Sequence, residues 1–196
     1  MTDLFEAGGL PDDAPRPLAD RLRPKTLAEV VGQDHLIGHE GPIGRMVAEN
    51  RPHSIVLWGP PGTGKTTIAR LLSSAFKLHF EQLSAVFSGV ADLKKSFDGA
   101  RQRRKIGQGT LLFVDEIHRF NRSQQDSFLP VMEDGTIVLV GATTENPSFE
   151  LNGPVLSRAQ VLVLRRLDDA ALETLLERAE AHYGEKLKLT GDARET

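Results

Sequence analysis

The 196-residue chain has no cysteine. Disulfides and thiolate-held metals are therefore excluded, and a reducing compartment suits it. No apolar run approaches the roughly 20 residues that a membrane-spanning helix needs. No basic-then-apolar leader opens the chain either. Positive charge is not in excess: the net charge is −3, which argues against coating nucleic acid by bulk charge and leaves only a local basic patch. The six histidines, at 35, 39, 53, 79, 118 and 182, show no metal-ligand spacing. The one tryptophan, Trp58, sits inside an apolar run and reads as core. Internal repeats and low-complexity segments are also missing. The length suits one sizeable core, or one core plus a small appendage.

Five short apolar runs alternate with helical patterns. "SIVLWG" (54–59), "HFEQLSA" (79–85), "TLLFVDE" (110–116), "TIVLVGATT" (136–144) and "QVLVLRR" (160–166) read as strands. Between them, "KTTIARLLSSAF" (65–76) places Ile68, Leu71, Leu72 and Phe76 on one side of a helix. "VADLKKSFDGARQRR" (90–104) is helical and ends basic. "SQQDSFLPVMED" (123–134) is a helix interrupted by Pro130. Nearly all-apolar strands alternating with helices indicate a parallel sheet covered on both faces. Three segments follow: a disordered Pro-, Gly- and Asp-rich tail over 1–17, an α/β core over 18–167, and a helical stretch over 168–196. The last opens with Asp168 or Asp169 as cap and has Gly184 as a stop. The tail holds one apolar pair, Leu4 and Phe5, read either as chance or as a short docking peptide.

"GPPGTGKT" (59–66) lies between the first strand and the first long helix. That context makes it a phosphate-binding loop. Gly59, Gly62 and Gly64 let the backbone turn its N–H groups inward, with Pro60, Pro61 and Thr63 completing the loop. Lys65 reaches the β- and γ-phosphates of ATP, Thr66 offers its hydroxyl to Mg²⁺, and Thr67 continues the helix start. A second signal is the pair Asp115 and Glu116 at the end of a strand that otherwise reads as fully buried. Adjacent carboxylates repel and lose hydration unless something offsets them. With a phosphate loop upstream, Asp115 becomes a holder of Mg²⁺ and Glu116 the group that polarises the attacking water. Parallel strands deliver both to the edge where ligands bind.

With "LWGPPGTGKTT", "FVDEIHRFNRSQQDSFLPVMEDG", "GATTENPSFELN", "LSRA", "LSAVFSGVADL" and "PLADRLRPKTLAEVVGQDHLIG" together, the chain resembles AAA+ ATPases of the clamp-loader group. More narrowly, it resembles the branch linked to replication-coupled recombination. The resemblance covers roughly residues 17–190 and implies a P-loop AAA+ fold: a five-stranded parallel sheet flanked by helices, followed by the start of a helical lid. It implies that Val31 and Gly32 lie near the adenine. It makes Thr143 or Thr144 the first sensor of the γ-phosphate, and Arg158 an arginine finger acting on a neighbouring subunit's ATP. It implies a cytoplasmic, bacterial, replisome-associated ATPase that acts on DNA at forks, gaps or single-strand/double-strand junctions. The assembly would be a homotetramer, with single-strand-binding protein and sliding clamp as candidate partners. His118 is read as part of the turn after the acidic pair, and not as a base.

The family's chains are more than twice this length, so a truncated core with half a lid is expected. The second sensor arginine is expected beyond residue 196, Arg194 standing at a helix start instead. "RQRRK" (101–105) is read as a solvated helix face rather than a DNA contact, because it lacks interleaved aromatics. An alternative class is a nucleotide-gated interaction module with little hydrolysis of its own. A small-molecule P-loop kinase is disfavoured, because no substrate pocket is evident in the sequence.

Overall fold

The computed structural model describes residues 18–184 and residue 186. The readings of the 1–17 tail, of Leu4 and Phe5, and of Arg194 lie outside the described residues. Compactness divides the chain into two units, residues 24–171 and residues 1–23 with 172–196.

The unit over 24–171 is built on five strands: β1 (Ile55–Trp58), β2 (His79–Ser84), β3 (Thr110–Asp115), β4 (Ile137–Thr143) and β5 (Gln160–Val163). All are parallel, in the order β2-β3-β4-β1-β5. This is the expected five-stranded parallel sheet. Side chains alternate between its faces, as a two-residue period requires. Val56, Leu112, Val114 and Leu139 enter one core, with Leu93 and Phe97 from the helix Val90–Lys105 and with Phe128. Ile55, Leu57, Leu111, Phe113 and Val140 enter the other, with Ile43 and Met46 from the helix Pro42–Ala48 and Ile68 and Leu72 from the helix Lys65–Ala75. Two buried faces explain why the strands read as continuous apolar runs instead of alternating ones. In the first core the Phe128 ring meets Phe97 edge-on at 5.5 Å and Phe120 at 5.9 Å.

One expectation needs correction. The segment around Pro130 forms two short helices, Arg122–Asp126 and Leu129–Glu133, and the break precedes the proline. Pro130 lies in the first turn of the second helix, where its missing N–H costs nothing. The first of the two helices is capped by Asn121, whose side chain accepts from Gln124 N at 3.0 Å while Gln124 returns a bond to Asn121 N.

The strand order sets where chemistry can gather. After β1 the chain runs out to β2, returns through β3 and β4, and ends on the far side of β1. The loop after β1, the fourth of the five strands across the sheet, thus sits on the carboxyl edge between β4 and β5, which are reached from opposite directions. Further on, Asp168 Oδ1 accepts from Ala171 N at 2.9 Å, so Asp168 caps the helix Asp169–Tyr183; Gly184, at φ +75°, ends it. The second unit's described residues contribute the short helix Leu18–Arg21 and the later turns of that terminal helix.

Candidate nucleotide site

Loop 59–64 leaves β1 and closes on itself. Gly59 N donates to Thr143 O at 3.1 Å, which ties the loop to the end of β4. The buried Thr63 donates its hydroxyl to Pro60 O at 2.9 Å. Gly62 and Gly64 take φ +78° and +91°, and a Cβ at either would meet nothing within 4 Å. The left-handed backbone at both glycines therefore borders open space, as a loop that turns its amides to a phosphate chain requires. Pro60 and Pro61 form the outer rim, with Pro61 exposed. Thr66 and Thr67 occupy the first turn of the helix Lys65–Ala75, both half-buried.

Lys65 folds back over the loop. Its Nζ donates to Gly59 O at 2.7 Å and Pro60 O at 2.9 Å. Burial pushes this ammonium below the ordinary lysine value, and the carboxylates of Glu116 and Asp115 pull it part of the way back. The offsetting charge that the two acids require is thus supplied by the chain itself.

Asp115 ends β3 level with Ser84, and its carbonyl accepts from Ala85 N at 2.9 Å. Glu116 follows in a left-handed conformation, φ +52° and ψ +47°, one of three such non-glycine residues among those described. Holding a residue there costs on the order of 1–3 kcal/mol and persists only where the surroundings over-determine it. Three contacts do so. Ile117 turns down onto β4 at Gly141, where a Cβ would lie 3.0 Å from its Cδ1, so the two pack closely. His118 Nδ1 lies 3.2 Å from Glu116 Oε2. Thr144 donates its hydroxyl to the same oxygen at a long 3.5 Å.

The two threonines differ in surroundings. Thr143 is fully buried, with its Oγ1 2.9 Å from His118 Nδ1 and accepting from Glu145 N at 3.0 Å. Thr144 is half-buried and faces Glu116.

The segment carrying Val31 and Gly32 reaches the same sheet edge. Gln33, fully buried, donates to Arg165 O at 2.8 Å and accepts from Arg165 N at 3.1 Å. His35 Nε2 sits 2.9 Å from Val163 O. These bonds fasten residues 30–37 to the chain leaving β5. Gly32 lies tight against Leu167, whose Cδ2 would be 2.8 Å from a side chain there. Sequence reasoning missed Gln33, and a polar residue beside glycine in an apolar stretch was the signal available.

Arg158 is not brought to this site. It precedes β5, whose Gln160 pairs with Ile55 at the start of β1. From that level to Gly59 the sheet rises about 3.3 Å per residue over four residues, roughly 13 Å, beyond the reach of one side chain. There the guanidinium grips Glu133 through Nε at 2.6 Å and a second nitrogen at 2.5 Å, and donates to Pro154 O at 2.9 Å. The basic run 101–105 is likewise engaged within the chain. Arg101 pairs with Asp98, Arg103 with Glu81 and Thr110, and Arg104 with Asp134 and Thr136. Arg103 is accordingly more than a solvated side chain: it ties its helix to β2 and β3.

A parallel sheet with a lysine-bearing phosphate loop at its switch point and an Asp–Glu pair on the neighbouring carboxyl edge defines a nucleotide-binding P-loop ATPase class. Residues 55–167 match the model of the ATPase family associated with various cellular activities, and the chain belongs to that AAA family. It is 51% identical over 168 residues to replication-associated recombination protein A of Escherichia coli K12, covering 86% of this chain and 38% of the relative. It is also 46% identical over 162 residues to the ATPase WRNIP1 of Dictyostelium discoideum, covering 83% of this chain and 18% of that protein. The chain thus spans well under half the length of these curated relatives. Among solved structures, the Holliday junction branch migration motor RuvB of Thermotoga maritima superposes with a TM-score of 0.66 at 26% identity, over 83% of this chain and 55% of that one. The family and the recombination-protein likeness expected from the motifs are thereby borne out. Among the described residues no helix is long and apolar enough to cross a membrane.

Proposed function

We propose that the chain binds Mg-ATP in the loop 59–66 and hydrolyses it, as part of an oligomeric motor acting on DNA in replication-coupled recombination. The observation that carries the chemistry is Glu116, held in a strained turn with its carboxylate gathered by two neighbours beside the Lys65 loop. Lys65 has three N–H donors and spends two on loop carbonyls, leaving one for a phosphate oxygen. Thr66 and Asp115 are oxygen donors of the kind Mg²⁺ prefers. The described residues hold no cluster of three or more metal-binding side chains, and Mg²⁺ bound with substrate phosphates needs only one or two carboxylates. Bound there, the ion would neutralise charge on the phosphates. Val31 and Gly32, fastened to the β5 exit, wall the adenine side.

Thr144 is the better first sensor, because it faces Glu116 while the Thr143 hydroxyl is spent inside the protein. Glu116 orients the attacking water and takes up its proton. Arg158 completes the site of a second copy, since it cannot reach its own. Residues 168–196 would begin a helical lid. Oligomeric assembly, forked or gapped DNA, single-strand-binding protein and sliding clamp are partners by analogy with the named relatives. The pairing of Arg101, Arg103 and Arg104 within the chain likewise leaves that helix end out of the proposed DNA contact.

The test is ATP turnover by the unaltered chain and by Glu116→Gln, with and without forked DNA, alongside Mg-ATP binding. Binding by both and turnover by the unaltered chain only, rising with protein concentration, is expected. Equal turnover by both would remove Glu116 from the mechanism.

A further inference from the structure

We infer that His118 is a positioning residue for hydrolysis: its Nδ1–H holds Glu116 in the attacking geometry and couples it to the end of β4 through Thr143. The inference rests on the proposed role of Glu116.

One ring nitrogen lies within hydrogen-bond reach of two oxygens, 2.9 Å from Thr143 Oγ1 and 3.2 Å from Glu116 Oε2. An ionised carboxylate only accepts, so the nitrogen facing it must carry a proton. That assigns the Nδ1–H tautomer. Thr143 then closes the count. Its hydroxyl oxygen accepts from His118 Nδ1 and from Glu145 N at 3.0 Å, and its own proton goes to Glu145 O at 3.2 Å. One donor and two acceptor positions are used, which is all a hydroxyl has. Were Nδ1 an acceptor instead, its lone pair would point at the Glu116 carboxylate.

The His118 side chain is only 7% exposed. It has little freedom to leave, and the contacts are shielded from competing water. Both bonds to the Glu116 carboxylate, from His118 and from Thr144, fall on Oε2. Oε1 is thereby the oxygen turned to the water. Because Glu116 occupies a backbone conformation that its own sterics disfavour, the carboxylate keeps this direction only while external bonds hold it. Thr143 carries the other end of the link, and its carbonyl accepts from Gly59 N of the phosphate loop. A path of bonded groups therefore runs from loop to β4 to His118 to Glu116. Residues at this spacing in sequence, 116, 118 and 143, give no hint of the meeting.

The experiment compares His118→Leu, His118→Asn and Glu116→Gln with the unaltered chain. Mg-ATP is the ligand, and rates are read separately from affinity. His118→Leu should lower turnover at saturating ATP by roughly tenfold or more, as expected for a misaligned general base, with nucleotide affinity and melting temperature unchanged. Asn places an amide N–H at the same bond distance from the backbone as Nδ1, so His118→Asn should recover most of the rate. A parent-like rate for His118→Leu, or a fall in affinity equal to the fall in rate, overturns the inference. If Glu116→Gln retains turnover, the role of Glu116 itself fails instead. A readout independent of turnover is the nitrogen NMR signature of His118 in the unaltered chain. An Nδ1–H tautomer supports the assignment, and an Nε2–H tautomer overturns it.

Discussion

The two edges of the sheet are organised differently. At the carboxyl edge, Lys65, Glu116, His118, Thr143 and Thr144 contact one another or the loop backbone, and Lys65, Thr143 and the His118 side chain are buried. At the amino edge, Arg158 and Glu133 form a pair of which 39% and 53% of the side-chain surface is exposed. The first edge is assembled by the chain's own packing. The second presents a cation on a surface, attached to its own fold by one acid, one carbonyl and the neighbouring Ser157 hydroxyl. If Arg158 serves the site of a second copy, as proposed above, its charge is available at the surface and not committed by burial. An exposed ion pair is worth only about 0–1 kcal/mol, so it can be exchanged for a phosphate at little cost.

The sharpest way to break this contrast is Arg158→Ala. If the amino edge serves another copy's nucleotide, turnover should fall roughly 10³- to 10⁵-fold with ATP binding intact. Mixing it with Lys65→Ala should restore part of the activity in steady-state assays, because some interfaces pair one intact loop with one intact finger. No recovery despite demonstrated subunit exchange would place Arg158 outside catalysis. Next in size is Glu116→Gln, expected to cost about 10²- to 10⁴-fold in rate and to be indifferent to mixing with Lys65→Ala, since both residues serve the same edge. Recovery in that mixture would erase the distinction between the edges.

Lys65→Met tests the carboxyl edge by binding alone. Removing an ammonium that satisfies two loop carbonyls and offsets Asp115 and Glu116 should lower the ligand-free melting temperature by a few degrees. Stabilisation by Mg-ATP, about 2.7 kcal/mol at a hundredfold excess over Kd, should disappear. A variant that still gains it shows phosphate held without the lysine. The smallest effect belongs to Glu133→Gln. Loss of an exposed partner should shift stability by about 1 kcal/mol or less in denaturant titration. A larger loss would show that the amino edge is structurally committed after all.

Much of the carboxyl edge was legible because its parts are local. Gly59 to Thr66 are contiguous, and their glycines, lysine and hydroxyl announce a phosphate loop whatever surrounds them. The acids at 115 and 116 follow an apolar run whose composition already requires burial on two faces. Pro130 was misjudged because proline is tolerated in a helix's first turn, and only the position of the break tells which turn that is. The choice between Thr143 and Thr144 could not be made from the strand pattern. Adjacent residues on a strand face opposite sides, and which side meets Glu116 depends on the turn that follows β3.

By itself, then, the sequence determined the alternation of strands and helices, the two-sided burial of the sheet, and the groups that can meet phosphate and metal. Each depends on composition and short-range spacing. The tertiary structure alone decided that Gln33 clasps Arg165, that His118 stands between Glu116 and Thr143, and that Arg158 lies at the edge opposite its own phosphate loop. Those facts follow from strand order and register, which bring together residues up to 132 positions apart in the chain. No periodicity in a single sequence encodes which strand lies beside which.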